Sequence, residues 1–341
     1  MGAIRFRAIL FGLLLGVIPA AASGGDAAPP TAVPADAATE LHAAIDILKA
    51  QHMNRDKVDW LTVTAKADAM IVNVKAAAEA YPAINYVIGE LGEKHTHLLP
   101  AAITKAVAAG PGAASRYAKL IAAYSNLPTV RRVTRDIALL TVPQFQSTEE
   151  RDRAYVGVLR DALTRAKAQG ICRYIVDLRG NSGGNDFPMI NGVASLLGAA
   201  PYGYWNYGQG SKQPWVIPSR PYAMQGQPVD YAASAPPQPS ASVAVLMDSL
   251  TVSAGEDTAI AFEGRAHTRF FGEPTGGFVT GNVAFPLPDG AMLAVATSWP
   301  MDRLGRPYRV AVVPDDETDR GQPTIDAAIK WLKAQHCRRA K

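Results

Sequence analysis

The stretch "SVAVLMDSLTVSAGED", residues 242–257, joins an apolar run to a helical pattern through a short polar turn. A short apolar run bounded by turn residues is typical of a buried strand. Ser253 opens the helical part, and Ser253 and Glu256 have the spacing of a capping box. The stretch is therefore consistent with a capped helix and also with a serine nucleophile placed after a strand. The rest of the chain has to decide between the two.

Strand and helix patterns alternate around this stretch. Before it, "RDIALLTVP" and "CRYIVDLR" are predicted strands, while "TEERDRAYVGVLRDALTRAKAQG" and "DFPMINGVASLLG" are predicted helices. Such alternation predicts an α/β fold with a largely parallel sheet and crossover helices. After it, "AFPLPDGAMLAVATSW" predicts a hairpin around Asp289 and Gly290.

The remaining segments suggest a division of the chain. Residues 1–22 are predicted to be a signal peptide, and residues 23–37, rich in Ala, Pro and Gly, a flexible leader. Residues 38–128 are rich in Ala, Leu and Ile at helical spacing and predict a helical N-terminal domain. The α/β domain is expected over residues 129–341. Within it, residues 203–241 are expected to form a long loop or lid.

The N-terminus has the three-part layout of a secretory signal peptide. Arg5 and Arg7 precede an uncharged apolar stretch, which is too short to span a bilayer comfortably, and small residues follow it. We therefore expect a secreted or periplasmic protein with no stable membrane insertion after cleavage.

Charge and cysteine content narrow the function classes. The 341 residues carry a formal net charge of +4, and loss of the signal peptide removes two of the arginines. No basic run stands out, which argues against nucleic acid as a partner. Cys172 and Cys337 are the two cysteines. An oxidising compartment permits a disulfide between them, but their spacing does not imply one.

A glycine-rich loop, "DLRGNSGGN" at 177–185, follows one predicted strand. Glycines let adjacent backbone N–H groups point outward and hold an oxyanion. Residues 180–184 also match the G-x-S-x-G nucleophile elbow, which makes Ser182 a rival to Ser253. In such an elbow the helix starts directly at the serine, whereas here two glycines and "NDFP" intervene. We therefore expect this loop to donate backbone hydrogen bonds.

A serine nucleophile needs a base, and histidines supply the candidates. Three of the six are expected at the surface, namely His42, His52 and His336. His267 is interpreted as structural or as a partner of Ser182. His95 and His97 lie in "GEKHTHLLP", a loop where packing gives no reason for them. A zinc pair would need further ligands, and no cluster at ligand spacing supports one, so no metal is expected.

Five motifs occur in one order: "GEKHTHL", "YIVDLRGNSGG", "VLMDSLTVSAGE", "GRAHTRFFGEPTGG" and "VVPD". This set resembles the tail-specific, or carboxyl-terminal processing, family of serine peptidases, which includes the tricorn core and nisin-resistance branches. The resemblance implies a crotonase/ClpP-like β-α-β core with an N-terminal helical bundle. It also implies Ser253 as nucleophile, with an oxyanion hole from Gly183 or Gly184 and the N–H of Ala254.

The branches of this family differ in their base. Processing proteases carry a lysine shortly after G-E-P-T, but Phe278 occupies that position here. The tricorn and nisin-resistance branches use a histidine from an H-T or H-S motif, which corresponds to His95, with His97 beside it. Residues 100–135 are too few for a PDZ module. We therefore expect the helical bundle and the 203–241 segment to shape the substrate groove.

The sequence thus predicts an exported serine-type peptidase that cleaves peptide or protein substrates with a Ser253–His95 dyad and no cofactor. Glu256 is expected to stabilise the helix start. Two alternatives stay open. One is a non-catalytic binding protein on the same scaffold. The other is an esterase that uses Ser182 and a histidine such as His267. Coenzyme A chemistry, which a crotonase-like fold also suggests, does not suit an exported protein.

Overall fold

The computed structural model describes residues 36–109, 117–146, 149–208, 210–215 and 236–337. The predicted signal peptide and nearly all of the predicted leader lie outside these residues. None of the helices in the described ranges has the length and apolarity that a bilayer crossing needs.

Nine helices and eleven strands are described. The helices are α1 (Ala37–Gln51), α2 (Trp60–Ile71), α3 (Tyr81–Gly89), α4 (Ala101–Ala108), α5 (Ala118–Ala123), α6 (Glu149–Ala168), α7 (Asp186–Leu197), α8 (Ala254–Ile260) and α9 (Gln322–Ala334). The strands are β1 (His97–Leu99), β2 (Thr129–Arg132), β3 (Ile137–Thr141), β4 (Arg173–Asp177), β5 (Gly203–Asn206), β6 (Lys212–Pro214), β7 (Ser242–Met247), β8 (Thr268–Gly272), β9 (Gly281–Pro286), β10 (Met292–Asp302) and β11 (Asp316–Glu317).

A six-stranded sheet has the order β11-β8-β7-β4-β3-β2 and is parallel except for the β2–β3 pair. Every residue of β7 is buried. Val243 and Val245 face a core cluster that includes residues of α6 and α7, whereas Ala244 and Leu246 face a cluster with residues of α9. Burial on both faces explains why this strand is apolar from Val243 to Met247, and the predicted α/β fold is confirmed.

A second sheet has the order β1-β10-β5-β6, with β9 also paired to β10. The predicted hairpin is confirmed, because β9 and β10 pair antiparallel on either side of Asp289 and Gly290. Helices α1, α2 and α3 pack their apolar faces against Leu287, Leu293 and Val295 of this hairpin in one core cluster. The second sheet thus covers the N-terminal helices and also carries β1 next to the "GEKHTHL" segment.

The expectation of a loop or lid over 203–241 is wrong for its first part. Gly203–Asn206 and Lys212–Pro214 form an antiparallel pair at the edge of β10. The rings of Trp205 and Trp215 pack here with centroids 5.0 Å apart. Aromatic side chains on an edge pair favour strand structure despite the nearby glycines. Residues 216–235 lie outside the described ranges.

Cys172 and Cys337 form a disulfide with a Cα–Cα distance of 5.6 Å. Cys172 directly precedes β4, and Cys337 follows α9. The bond therefore ties the C-terminal helix to the edge of the sheet at which the parallel strands begin.

Candidate active site

Ser253 lies between β7 and α8 in a backbone conformation that few non-glycine residues adopt, with φ 52° and ψ −125°. The N–H groups of Glu256 and Asp257 donate to the Ser253 carbonyl oxygen at 2.7 and 3.0 Å. The side chain makes no cap hydrogen bond. The backbone thus closes the first turn of α8, and the Ser253 hydroxyl is not needed for it. Strain of this kind clusters at functional sites.

The buried carboxylate of Glu256 connects the Ser253 turn to the 275–278 loop. One oxygen accepts the N–H groups of Ser253 and Phe278 at 3.0 and 2.8 Å. The other accepts the N–H of Gly277 at 2.8 Å and the Thr275 hydroxyl. Burial raises the pKa of Glu256 to about 7, while its four donors favour the charged form. The expectation that Glu256 stabilises the helix start describes only part of this network.

The glycine-rich loop packs directly against Ser253. Gly183 and Gly184 have φ of 98° and 115°, and a Cβ on Gly183 would lie 2.8 Å from the Ser253 Cβ. The Gly183 N–H donates to Asn181 Oδ1 at 2.9 Å. Gly184 lines the same cavity as Ser253. The loop therefore approaches Ser253 as closely as only glycine permits.

Ser182 and His267 are not brought together. The Ser182 hydroxyl lies 2.8 Å from the Tyr124 hydroxyl. His267 is exposed and directly precedes β8, whereas Ser182 follows the carboxyl end of β4. Because β4 and β8 run in the same direction in one sheet, His267 lies at the end where the parallel strands begin and Ser182 at the end where they finish. This separation removes the geometric basis of a Ser182–His267 pair.

His95 is held by a closed set of hydrogen bonds. Its N–H donates to Glu93 Oε2 at 2.6 Å, and its ring Nδ1 lies 2.8 Å from the Thr280 hydroxyl. Thr280 in turn donates to Asn282 Oδ1 at 3.2 Å. The Asn282 side-chain amide donates to the His95 carbonyl oxygen at 2.9 Å. Backbone and ring of His95 are therefore fixed by side chains from two segments distant in sequence.

The same network assigns the tautomer of His95. Donation from the Thr280 hydroxyl to Asn282 favours the tautomer in which this hydroxyl accepts from Nδ1–H and the lone pair lies on Nε2. Burial lowers the pKa of His95 to about 3, against the opposing charge of Glu93. The imidazole is therefore neutral at physiological pH, as a general base has to be.

Ser253, His95 and His97 line one cavity with a volume of about 90 Å³. Both Ser253 and His95 are in the described residues, and no hydrogen bond joins the Ser253 hydroxyl to the His95 ring there. Catalytic hydrogen bonds often tighten only when substrate binds. His97 Nδ1 lies 2.7 Å from the His95 carbonyl oxygen, and the two rings are 6.4 Å apart. His97 thus adds a further contact on the His95 backbone.

Phe278, at the position where processing proteases carry lysine, packs edge-on against the His95 ring with centroids 5.9 Å apart. Lys94 Nζ lies 4.5 Å from the Phe278 ring and donates to the Gly276 carbonyl oxygen at 2.9 Å. An aromatic side chain thus fills the lysine position and helps to bury the imidazole.

Sequence reasoning missed several side chains of this site. Thr280 and Asn282 follow the recognised G-E-P-T segment, but hydroxyl and amide residues give no pattern that marks them in advance.

The surface expectation for His52 is wrong: its ring is buried, accepts the Asn54 N–H at 3.0 Å and lies 3.3 Å from Glu93. Its place on a polar helix end hid this long-range contact. His42 and His336 are exposed, as expected.

Comparison with known proteins shows the family of this chain. The family model described as peptidase family S41 matches residues 136–318. The nisin-resistance protein of Lactococcus lactis subsp. lactis is 27% identical over 288 residues, which cover 82% of each chain. A carboxyl-terminal-processing protease of Picosynechococcus sp. is 30% identical over 185 residues, 50% of this chain and 41% of that protein.

Among solved structures, a lipoprotein from Streptococcus agalactiae superposes with a TM-score of 0.71. The match covers 89% of this chain and 98% of that one at 23% identity, so it supports the fold alone. The resemblance inferred from the ordered motifs is therefore confirmed by the family match and by the curated relatives. This chain belongs to peptidase family S41.

Proposed function

We propose that this protein is an exported serine-type peptidase in which Ser253 is the nucleophile and His95 the general base. The observation that carries the proposal is the shared cavity of the two residues, at which the neutral imidazole and a hydroxyl not used for capping both lie. The sequence alone supports export, through the predicted signal peptide at residues 1–22.

The reaction is acyl transfer to water. His95 Nε2 takes the Ser253 proton as the oxygen attacks the peptide carbonyl, and the imidazolium then protonates the leaving amine. A water molecule, deprotonated by the same nitrogen, attacks the acyl-enzyme and releases the acid and the free serine. Thr280 acts as a positioning residue, because accepting Nδ1–H keeps the basic lone pair on Nε2.

The tetrahedral oxyanion needs backbone donors. We assign them to the N–H groups of Gly184 and Ala254, because the Gly183 N–H already donates to Asn181. Gly184 lines the cavity, and Ala254 is the first residue of α8, where N–H groups have no acceptor within the helix. One such donor commonly contributes about 3 kcal/mol to transition-state stabilisation. Gly183 instead sets the close approach of the loop to Ser253.

Labelling with a fluorophosphonate probe tests the assignment. The wild type and the Ser182→Ala and His97→Ala variants should be labelled, whereas Ser253→Ala should not be and His95→Ala should react far more slowly. Labelling that survives Ser253→Ala and is lost in Ser182→Ala would instead support the esterase alternative.

A binding protein without catalysis is the second candidate, because no hydrogen bond joins the Ser253 and His95 side chains in the described structure. Under that reading the wild type binds peptides, stays unlabelled and leaves a peptide library intact. Digestion of the library by the wild type, and not by Ser253→Ala, would exclude it.

A further inference from the structure

Two carboxyl groups that the mechanism does not use lie in the same cavity as Ser253. Asp186 is the first residue of α7, and Asp257 lies in the first turn of α8. Both line the cavity. The Asp257 N–H donates to the Ser253 carbonyl oxygen at 3.0 Å, so Asp257 lies about one helical turn, ~5 Å along the axis, from Ser253.

Asp257 is buried without a hydrogen-bond partner for one of its oxygens. The residue is 6% exposed, and within the described ranges Oδ1 has no partner. Burial raises the pKa of Asp257 well above its usual range, and the charges of Asp186 and Glu256 add to this. Burial likewise raises the pKa of Asp186 to about 6. An unsatisfied buried carboxyl is costly, and such groups persist where function requires them.

The walls of the cavity suit a cationic side chain. Phe187 and Trp205 line the same cavity as the two carboxyl groups. Of the described residues that line it, none is lysine or arginine. The methylene stem of a lysine or arginine would pack on the aromatic rings, and its charged end would reach the carboxyl groups. A cation there would also provide a counter-charge for the two carboxyl groups.

We propose that Asp186 and Asp257 form a subsite for the lysine or arginine side chain adjacent to the scissile bond of the substrate. This inference rests on the proposed function, and it specifies the class of peptide cleaved. A metal ion is the less suitable occupant, because across the described ranges neither carboxyl belongs to a group of three potential ligands.

The wild type tests the proposal directly. Paired peptides carry lysine or norleucine, or arginine or citrulline, at each position around the scissile bond. Citrulline keeps the length of arginine without its charge, and norleucine keeps the aliphatic stem of lysine without its ammonium group. We expect kcat/KM at one adjacent position to be at least about tenfold higher for the charged member, which corresponds to ~1.4 kcal/mol. Equal cleavage of both members at every position would overturn the subsite.

Binding to Ser253→Ala separates this subsite from catalysis. The inactive variant should bind the lysine peptide at least about tenfold more tightly than the norleucine peptide. Adding Asp257→Asn or, separately, Asp186→Asn should shrink that ratio, whereas Asp326→Asn, the same charge change on the exposed face of α9, should keep it.

The two proposals fail differently. An unlabelled wild type whose Ser253→Ala form still prefers the lysine peptide contradicts the peptidase and retains the subsite. A labelled wild type with no preference in either assay contradicts the subsite alone. A ratio unchanged by both asparagine variants would also reject the subsite.

Discussion

Nδ1 of His95 lies 2.8 Å from the hydroxyl of Thr280, although 185 positions separate the two residues in the chain. That hydroxyl also lies 3.2 Å from Oδ1 of Asn282, an acceptor, which favours the tautomer in which it accepts from Nδ1–H. The basic nitrogen that remains is Nε2. In the proposed mechanism this neutral hydroxyl holds the ring and its tautomer, as a carboxylate does in many serine hydrolases.

Thr280→Val should slow fluorophosphonate labelling of Ser253 by about ten- to a hundredfold, by analogy with the loss of other orienting partners. Valine keeps the shape and removes the acceptor, which leaves Nδ1–H buried and unsatisfied. Thr280→Ser, which retains the hydroxyl, should restore most of the rate. Equal labelling rates for the valine variant and the wild type would show that Thr280 does not orient the base.

Gly183→Ala should reduce labelling strongly, because its Cβ would lie 2.8 Å from the Ser253 Cβ at a φ of 98°. Gly180→Ala is the matched control: Gly180 also has positive φ, 73°, but a Cβ there meets nothing within 4 Å. Both variants should lose about 1 kcal/mol of unfolding free energy from backbone strain. Only Gly183→Ala should displace the nucleophile. Equal labelling of the two variants would contradict the contact.

Glu256→Gln should lower both stability and labelling. In glutamine an NH2 group replaces one of the two carboxylate oxygens. That donor would face two other donors, which are either the N–H groups of Ser253 and Phe278 or the Gly277 N–H and the Thr275 hydroxyl. The expected loss is about 1–3 kcal/mol in the free energy of unfolding, measured by urea denaturation. A variant as stable and as reactive as the wild type would mean that Glu256 is already protonated and neutral in the native protein.

The pH dependence of labelling should separate His95 from Glu256. With its pKa near 3, His95 stays neutral well below pH 6.5. A fall in the labelling rate as the pH drops through about 7 would therefore reflect protonation of Glu256, and it should be absent in Glu256→Gln. A limb near pH 6.5 that persists in Glu256→Gln would contradict the buried, neutral imidazole.

The linkage for His95 has a definite sign. Its unfolded form takes up a proton near pH 6.5 and its folded form only near pH 3. The unfolded state therefore binds more protons between these values, so the contribution of His95 to stability falls as the pH falls through that window. Glu256 has the opposite sign between about pH 4.5 and 7, because its folded form holds the proton more tightly.

Reduction of the Cys172–Cys337 bond should lower the free energy of unfolding by about 2–5 kcal/mol, since the bond closes a long loop. The bond lies at the start of β4. The five residues of that strand span ~17 Å and separate the bond from the carboxyl ends of the parallel strands, where Ser253 lies. Labelling under native conditions should therefore survive reduction. Urea denaturation with and without reductant measures the loss, and a Cys172→Ser, Cys337→Ser variant should not respond to reductant.

Much of the fold could be predicted from local patterns. The run at 243–247 is apolar because both faces of β7 are buried. A continuous apolar run of this length predicts a strand of a parallel sheet. The expected loop over 203–241 is wrong for residues 203–214, because aromatic residues form a strand pair there despite the glycines. The surface expectation for His52 is wrong because its buried contact with Glu93 involves a distant segment.

The sequence by itself determined the β-α-β order, the family and the candidates Ser253 and His95, because these depend on patterns within short segments and on the order of motifs. Only the tertiary structure decided that Thr280 lies against Nδ1 of His95 and that Asp257, with an unsatisfied oxygen, lines the same cavity as Asp186. The physical reason is that a side chain's partner and its burial depend on which distant segments pack together, and no local pattern encodes that choice.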